Sequence, residues 1–352
     1  MSFRDDNKAF ESWLAKQCDV VKSDIHYKHS LMKENPFRFL RATYFRWARK
    51  IGDWCPELMD APKVLSVGDL HLENFGTWRD ADGRLVWGVN DFDEAAVMPY
   101  VLDLVRLATS IRLAPLPAIS SREAADALLA GYRDGLRSPQ PALLFEGETW
   151  LRPYAEPGEG KPEKFWNEVK RYPTCKPPAK IAAALRASLP RDVESIRFGR
   201  VLRKGGGSLG RPRYAAIAYW HGGQIVREVK ALVPSAWNWA HGKTSDAKLH
   251  FTTLANGKYR APDPFLHVAH HFILRRIAPD SRKIELGDDA RRKLQRRLIE
   301  AMAFDLASIH AAGASQIDKL KADLKRRPRG WLNAAAAVAE EKVKRDFKEW
   351  RG

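Results

Sequence analysis

Ser66-Val67-Gly68-Asp69-Leu70-His71-Leu72-Glu73-Asn74-Phe75-Gly76, followed shortly by Asn90-Asp91-Phe92-Asp93-Glu94, is the stretch on which the fold of this chain turns. Hydrophobic runs lead into both segments: Lys63-Val64-Leu65-Ser66-Val67 into the first, Arg84-Leu85-Val86-Trp87-Gly88-Val89 into the second. Between them, Asp80-Ala81-Asp82-Gly83 has the chemistry of a hairpin turn. A strand, a polar loop, a hairpin and a second polar loop bring Asp69, Asn74 and Asp91 to one edge of a small sheet. Carboxylates and an amide gathered in this way suit a hard, oxygen-preferring cation such as magnesium. Any one of these acidic residues is equally well explained as a helix cap or a turn former. The set together carries the chemical reading.

At 352 residues the chain can bury one large core or two modest ones. A hydrophobic fraction of 45% argues against general disorder. Lys and Arg outnumber Asp and Glu by 60 to 43, for a formal charge of +17, which favours anionic partners without choosing among nucleotides, nucleic acid and acidic membranes. The charge is spread along the chain and forms no basic tail. Cys18, Cys55 and Cys175 lack metal-ligand spacing and suit a reducing compartment. The N-terminal Met-Ser-Phe-Arg-Asp-Asp-Asn-Lys has no apolar signal core, and no run is long enough to span a bilayer. A cytoplasmic protein without membrane partners is expected.

Residues 1–60 read as helical. Phe37, Leu40, Tyr44 and Trp47 recur at helical spacing as a core stripe, with Pro36 at a first helical position. Arg38, Arg46, Arg49 and Lys50 form the expected solvated face, and Arg41 lies beside the stripe within reach of an anion. After the acidic loops, Leu104, Leu107, Ala108 and Ile111 mark a buried helix face with Asp103 as its cap, ended by Pro115 and Pro117. Ser120 and Glu123 open another helix towards Leu136 with a capping-box pattern. Residues 138–180, including Glu156-Pro157-Gly158-Glu159-Gly160-Lys161-Pro162, read as loops and short helices, and Ile181–Ser188 as a helix. Leu294, Leu298, Met302, Leu306 and Ile309 make a helical stripe ending at His310-Ala311-Ala312-Gly313, with His310 a capping or core residue. The last segment reads as an amphipathic surface helix.

From Ile196 the texture becomes that of strands. Arg197–Arg203 leads into Gly205-Gly206-Gly207-Ser208-Leu209-Gly210, then into Tyr214–Trp220, a His221-Gly222-Gly223 turn and Ile225–Leu232. Gly205, Gly207 and Gly210 satisfy G-x-G-x-x-G, but Pro212 and a β-type run follow where a dinucleotide fold needs a helix. A glycine-rich hairpin whose N–H groups cover phosphates fits better. Lys230 alternates with Glu228 on the third strand and can reach those phosphates as a point charge.

These residues resemble the protein-kinase-like superfamily, especially its aminoglycoside and choline phosphotransferase branch. Gly68-Asp69 followed by Asn74 is similar to that branch's catalytic loop, H-G-D-x-x-x-x-N. Asn90-Asp91-Phe92 looks like its metal loop, and Asp103 resembles the aspartate that steadies the catalytic loop. More closely, Asn35–Arg41, Gly68–Gly76, Asn90–Glu94, Gly205–Gly210 and Val229-Lys230 look like a bacterial family catalogued as domain of unknown function 2252. That likeness covers roughly residues 30–315. The motif order is unusual. In ordinary kinases the glycine loop and lysine come first, then a helix ending near Leu-x-x-Leu-His, then the catalytic loop. Here the catalytic loop leads, and Leu306-Ala307-Ser308-Ile309-His310 comes near the end.

The resemblance implies an α+β, protein-kinase-like two-lobe fold, circularly permuted. N-terminal helices would occupy 1–60, the catalytic-loop and metal-loop part of a larger, mainly helical lobe 61–195, a small antiparallel β nucleotide lobe 196–286, and completing C-terminal helices 287–352. It implies an ATP- and magnesium-dependent phosphotransferase acting on an acceptor hydroxyl that the motifs do not name. Asp69 would be the catalytic base, and Asn74, Asp91 and Asp93 the metal ligands. Gly205, Gly206, Gly207, Ser208, Gly210 and Lys230 would hold the phosphates, with His71, Asp103 and Arg41 in support.

Two departures bear on activity more than on fold: Val67 stands where these enzymes often have His, and no Glu lies between Lys230 and Glu285. A catalytically silent nucleotide-binding pseudokinase is therefore the first competitor, and nucleotidyl transfer would use the same loops. A nucleic-acid binder is suggested by charge and abundant Trp, but no zinc-finger spacing or RNA-binding motif supports it. A metallophosphoesterase ranks last, because Asp69-Leu70-His71 lacks the later histidine motifs.

Overall fold

A computed structural model of the chain describes residues 1–115, 119–155, 161–243, 248–279, 294–312 and 316–352. The first sixty residues form α1 (Phe3–Gln17), α2 (Lys22–Leu31), α3 (Pro36–Ala42) and α4 (Tyr44–Trp54). Asn35 caps α3 by accepting the Arg38 N–H, with Pro36 next in line. Phe37, Leu40, Tyr44 and Trp47 are all buried. Their stripe nevertheless spans two helices, because the backbone leaves helical geometry at Thr43. The solvated face needs correction at Arg46, which is buried between Asp6 and Asp346. A guanidinium in a core requires such carboxylates.

β1 (Lys63–Ser66) leads into the first acidic loop, and β2 (Phe75–Arg79) and β3 (Leu85–Val89) form the predicted hairpin, with Phe75 opposite Val89. β4 (Ala96–Pro99), which the sequence reading did not contain, pairs antiparallel with β1. α5 (Val101–Leu113) then runs buried through the core. Asp103 does not cap it; Tyr100 stands at the cap position without a side-chain bond, and Asp103 turns inward. Ser120 accepts the Glu123 N–H at the start of α6 (Ser121–Arg137). Pro117 lies outside the described residues. β5 (Ala142–Leu143) adds to the edge of β3.

α7 (Arg152–Ala155), α8 (Lys161–Lys170) and α9 (Ala179–Ala187) follow; within the Glu156–Pro162 stretch, residues 156–160 are outside the description. β6 (Ser195–Arg200), β7 (Arg213–Trp220) and β8 (Gly223–Ala231) come next, then α10 (Ala236–Ala240), α11 (Phe251–Ala255), β9 (His267–Ala269) and β10 (Phe272–Ile277). The strands make one antiparallel sheet in the order β6-β7-β8-β10-β9. Alternation serves both faces: Tyr214, Ala216 and Val229 meet Ile181 and Leu185 of α9, while Ala215, Ile217 and Val226 meet Val169 and Tyr172. The fold is thus mixed α+β with small antiparallel sheets.

α12 (Arg296–His310), α13 (Ile317–Arg326) and α14 (Trp331–Arg351) complete the helical part. Gly313 and residues 287–293 are not among those described. α14 is amphipathic but no mere surface helix: Leu332, Ala336, Ala339 and Phe347 are buried in the main core with α1, α3 and α5. No described helix is long and apolar enough to cross a membrane. α12 packs along α6, and their backbones come very close at Gly131, where an added Cβ would lie 2.0 Å from the Glu300 carbonyl oxygen. Backbone cannot yield cheaply, so Gly131→Ala should destabilise the protein by about 1–3 kcal/mol. A urea unfolding curve reads this directly; an unchanged midpoint would contradict the close packing.

Candidate functional site

Two buried carboxylates set the position of the two acidic loops. Asp103, from α5, accepts the backbone N–H groups of Val67 (2.7 Å) and Gly68 (2.9 Å), the residues just before Asp69. His310, at the end of α12, holds Asp103 through Nε2 at 3.0 Å and meets the Tyr132 hydroxyl through Nδ1 at 2.7 Å. His310 is thus the core residue that its position allowed and not a cap, hydrogen-bonded at both ring nitrogens. Asp305, one and a half turns earlier on α12, accepts the Val89 N–H (2.7 Å), just before Asn90-Asp91, and both its oxygens accept from Arg260. The loops are also tied to each other, since the Asn90 N–H donates to the Asn74 carbonyl at 3.0 Å.

One cleft brings together Asp69, His71, Asn74, Asp91 and Asp93 from these loops, Gly205–Ser208 and Lys230 from the five-stranded sheet, and Arg41 from α3. Gly210 lies apart from that lining, packed against Ile25 of α2. The glycine loop joins β6 to β7, as its hairpin reading predicts. A Cβ at Gly207 would stand 3.0 Å from Asp69 Oδ2 and 2.9 Å from the Arg41 carbonyl oxygen, so only glycine lets the loop approach so closely. α2 holds the loop from outside: the Val21 N–H donates to Gly210 O (2.9 Å), the Arg203 N–H to Asp24 (3.2 Å) and Lys28 Nζ to Gly207 O (3.3 Å). Burial brings the Lys28 amine down to about 8.

Asp69 is anchored by a residue the motifs did not name. Arg106, wholly buried on α5, donates through Nε (2.9 Å) and Nη2 (2.5 Å) to Asp69 Oδ1 and also reaches the Leu40 carbonyl. Burial raises the Asp69 pKa, against the opposing pull of Arg106. Lys230 contacts Asp93 and lies 3.5 Å from Asp91. Glu94 pairs with Arg211 and accepts the Ala236 N–H at the start of α10 (2.6 Å). Arg41 pairs with Glu73 at 2.7 Å. Asn74 Oδ1 accepts the His71 N–H (2.7 Å), while His71 Nδ1 accepts the Glu73 N–H (3.1 Å).

The residues fit a divalent cation in one specific respect. Asp93 Oδ1 is buried and meets no donor among the described residues. Burial and the neighbouring Asp91 both raise the Asp93 pKa, opposed by Lys230 and Arg211. Adjacent carboxylates with an orphaned oxygen are the situation a bound cation relieves. Among the described residues no three His, Cys, Asp or Glu side chains converge as an all-protein metal cage. Magnesium commonly uses one or two carboxylates and takes its other ligands from phosphates and water.

Beside this cleft lies a cavity of about 250 Å3 bordered by Trp78, Phe92, Leu266 and Ile277; Asn90, Lys204 and Arg275 line both. On the cleft side, Glu228 of β8 is fully buried between Arg275 (2.6 Å) and Arg213 (3.4 Å). Burial opposes its ionisation, but Arg275 and Arg213 outweigh this and take the carboxyl down to about 2. A signal for these unpredicted groups was present: Arg106 interrupts an apolar helix, and Arg211 and Arg213 flank Pro212 just after the glycines.

A carboxyl depressed by folding stabilises the folded state fully above its ordinary value of 4.5, and the contribution is lost as pH falls through about 2. Glu228→Gln should therefore be least stable relative to wild type near neutrality, and the gap should narrow as pH drops below 4.5. Paired urea melts from pH 7 down to about pH 3 test this; a gap independent of pH would refute the ion-pair assignment.

A family model described as "uncharacterized protein conserved in bacteria" (domain of unknown function 2252) matches residues 20–141. No curated protein and no solved structure matches the chain. The matched segment holds both acidic loops, Arg41, Asp103 and Arg106, and stops short of the glycine loop and Lys230. Over that segment the chain is similar to this bacterial family.

Proposed function

We propose that the cleft binds a magnesium–nucleotide complex and transfers its terminal phosphoryl group to an acceptor hydroxyl, on a circularly permuted, kinase-like two-lobe frame. The observation that carries this is the meeting of Lys230 with Asp91 and Asp93 beneath a glycine loop that also touches Asp69. These groups lie over a hundred residues apart in sequence, in an order opposite to that of ordinary kinases. Further support comes from the sheet, in which the glycine loop joins the first two strands and the lysine sits on the third, as in a kinase small lobe. The adjoining apolar cavity suits a nucleotide base.

In this reading Asp91, Asp93 and Asn74 would hold magnesium, which when bound supplies positive charge to the phosphate oxygens. Lys230 then leaves its carboxylates for the phosphates, and the backbone of Gly205–Gly207 covers them. Arg106 fixes Asp69 through Oδ1, so that Oδ2, on the Gly207 side, receives the acceptor hydroxyl. The hydroxyl oxygen forms a bond to the terminal phosphorus as the bridging P–O bond breaks. The nucleoside diphosphate departs with that electron pair, and the hydroxyl proton passes to Asp69. The raised pKa of Asp69 favours its taking that proton.

Thermal-shift titration with ATP and ADP, with and without magnesium, tests this on wild type, Asp91→Ala and Asp69→Ala. At about a hundred times Kd a ligand adds about 2.7 kcal/mol to stability. A magnesium-dependent shift should appear in wild type, vanish in Asp91→Ala and survive in Asp69→Ala, which should lose turnover. A shift without turnover in wild type identifies a silent nucleotide binder; no shift with any nucleotide overturns the proposal.

A further inference from the structure

The sheet that carries Lys230 borders a second cavity on its other face. Arg213 and Lys230 line the cleft, whereas Tyr214 and Ala231, the next residues along β7 and β8, line a cavity of about 850 Å3 that shares no residue with the cleft. Neighbours along a strand point to opposite faces, so this cavity lies behind the sheet. Ile181 of α9, Tyr214, Phe272 of β10 and the Leu232-Val233 segment after β8 give it an apolar floor. Of these, Ile181, Tyr214, Leu232 and Val233 are buried, so the floor is part of the packed body of the protein.

The rim of this cavity is polar and rich in donors. Lys16 near the end of α1, Lys180 near the start of α9, and His270 and His271 between β9 and β10 all stand exposed on it, with Asp19 as the one carboxylate among the described lining residues. Within the described part of the chain none of the four donor side chains forms a hydrogen bond or an ion pair. The two histidines are also held there at a conformational cost. Phe272 pairs with Ala269, so His270-His271 alone make the hairpin turn, with φ of 49° and 60°. A two-residue turn with both φ positive favours Asn-Gly, and histidine, though it enters the left-handed region more readily than most residues, does so less readily than glycine. Turn chemistry therefore gives no reason for histidine at either position, whereas the cavity gives one: two imidazoles bring hydrogen-bonding nitrogens to its mouth. Unfavourable backbone of this kind gathers at ligand sites.

We propose that this cavity binds an anionic amphiphile, a single apolar chain ending in a carboxylate or a phosphate, with the chain on the apolar floor and the headgroup among His270, His271, Lys16 and Lys180. The volume and the mostly apolar lining with a few polar groups at one side are those of a small-molecule site. Two lysines against Asp19 leave the mouth cationic whatever the protonation of the histidines, and this selects an anion over a neutral or cationic head. The site does not depend on the phosphotransfer reading, because it lies on the opposite face of the sheet and needs no nucleotide.

Isothermal titration of the full chain with decanoate, decyl phosphate and decanol tests this. One molecule of a decyl anion should bind, about tenfold or more tightly than decanol, as charge-assisted hydrogen bonds to the headgroup require. His270→Asn/His271→Gly gives the turn its favoured residues, so it should raise the thermal midpoint while weakening the anion about fivefold or more. A purely structural role for the histidines predicts the reverse, a lower midpoint and unchanged binding. Lys16→Gln/Lys180→Gln should weaken the anion and leave decanol as it was. Ala179→Trp, which fills the cavity from an exposed position, should remove binding of all three. Decanoate bound in preference to decyl phosphate identifies a fatty-acid-like ligand, and the opposite preference a phosphate headgroup; either result supports the site. Decanol bound as tightly as the anions, several molecules bound per chain, binding unchanged in either rim variant or in Ala179→Trp, or no binding at all would overturn the inference. None of these results bears on nucleotide binding in the cleft.

Discussion

Everything at the cleft depends on two backbone grips from the helical core. Asp103 accepts the N–H groups that precede Asp69, and Asp305 accepts the N–H that precedes Asn90-Asp91. Both grips lead to α12, directly through Asp305 and by way of His310 for Asp103. One helix therefore sets the spacing between the two acidic loops. Backbone donors in a core must be satisfied, so each carboxylate fixes its loop while answering a demand that folding itself creates. A carboxylate that accepts backbone N–H groups leaves little freedom in where the next side chain emerges.

Around those grips, the ionic groups are arranged in pairs drawn from different elements. Asp69 is matched by Arg106, Glu94 by Arg211, Arg41 by Glu73, and Lys230 by Asp93. Such pairs are weak evidence of stability, since desolvation offsets much of their attraction. Their value lies in geometry: each constrains the orientation of a side chain that faces the cleft. The pairs differ in permanence. Arg106 is sealed under Tyr44 and Trp47, whereas Lys230 and Asp91 border open space. The sealed pairs form scaffolding, and the bordering ones are positioned to exchange partners.

Much of this was legible in the sequence where a local rule applied. The Asp80–Gly83 turn, the Asn35-Pro36 cap and the glycine-rich hairpin each follow from backbone chemistry within a few residues. The convergence of Asp69, Asp91, the glycines and Lys230 was accessible through motif resemblance. What escaped were partnerships across long separations. Arg46 looked like a surface residue because its helix is amphipathic, and nothing local reveals that Asp346 waits some three hundred residues away. Asp103 sits where a cap belongs, and only the folded core shows that it serves Val67 and Gly68 instead. β4 was missed because Ala96–Pro99 has neither alternation nor length to distinguish it from a loop.

The attachment of the glycine loop to α2 bears on the thermodynamics of recognition. A loop of this composition carries a large conformational entropy when free, and a ligand that orders it must overcome that entropy on binding. Here Val21, Asp24 and Lys28 already restrain it at three points. Its order is established when the N-terminal helices dock, not when a ligand arrives. The same attachment couples two motions that would otherwise be separate. Any widening of the cleft at Gly207 must carry α2 with it or break a buried lysine's contact, so the loop opens on the timescale of helix displacement instead of that of a free glycine hairpin.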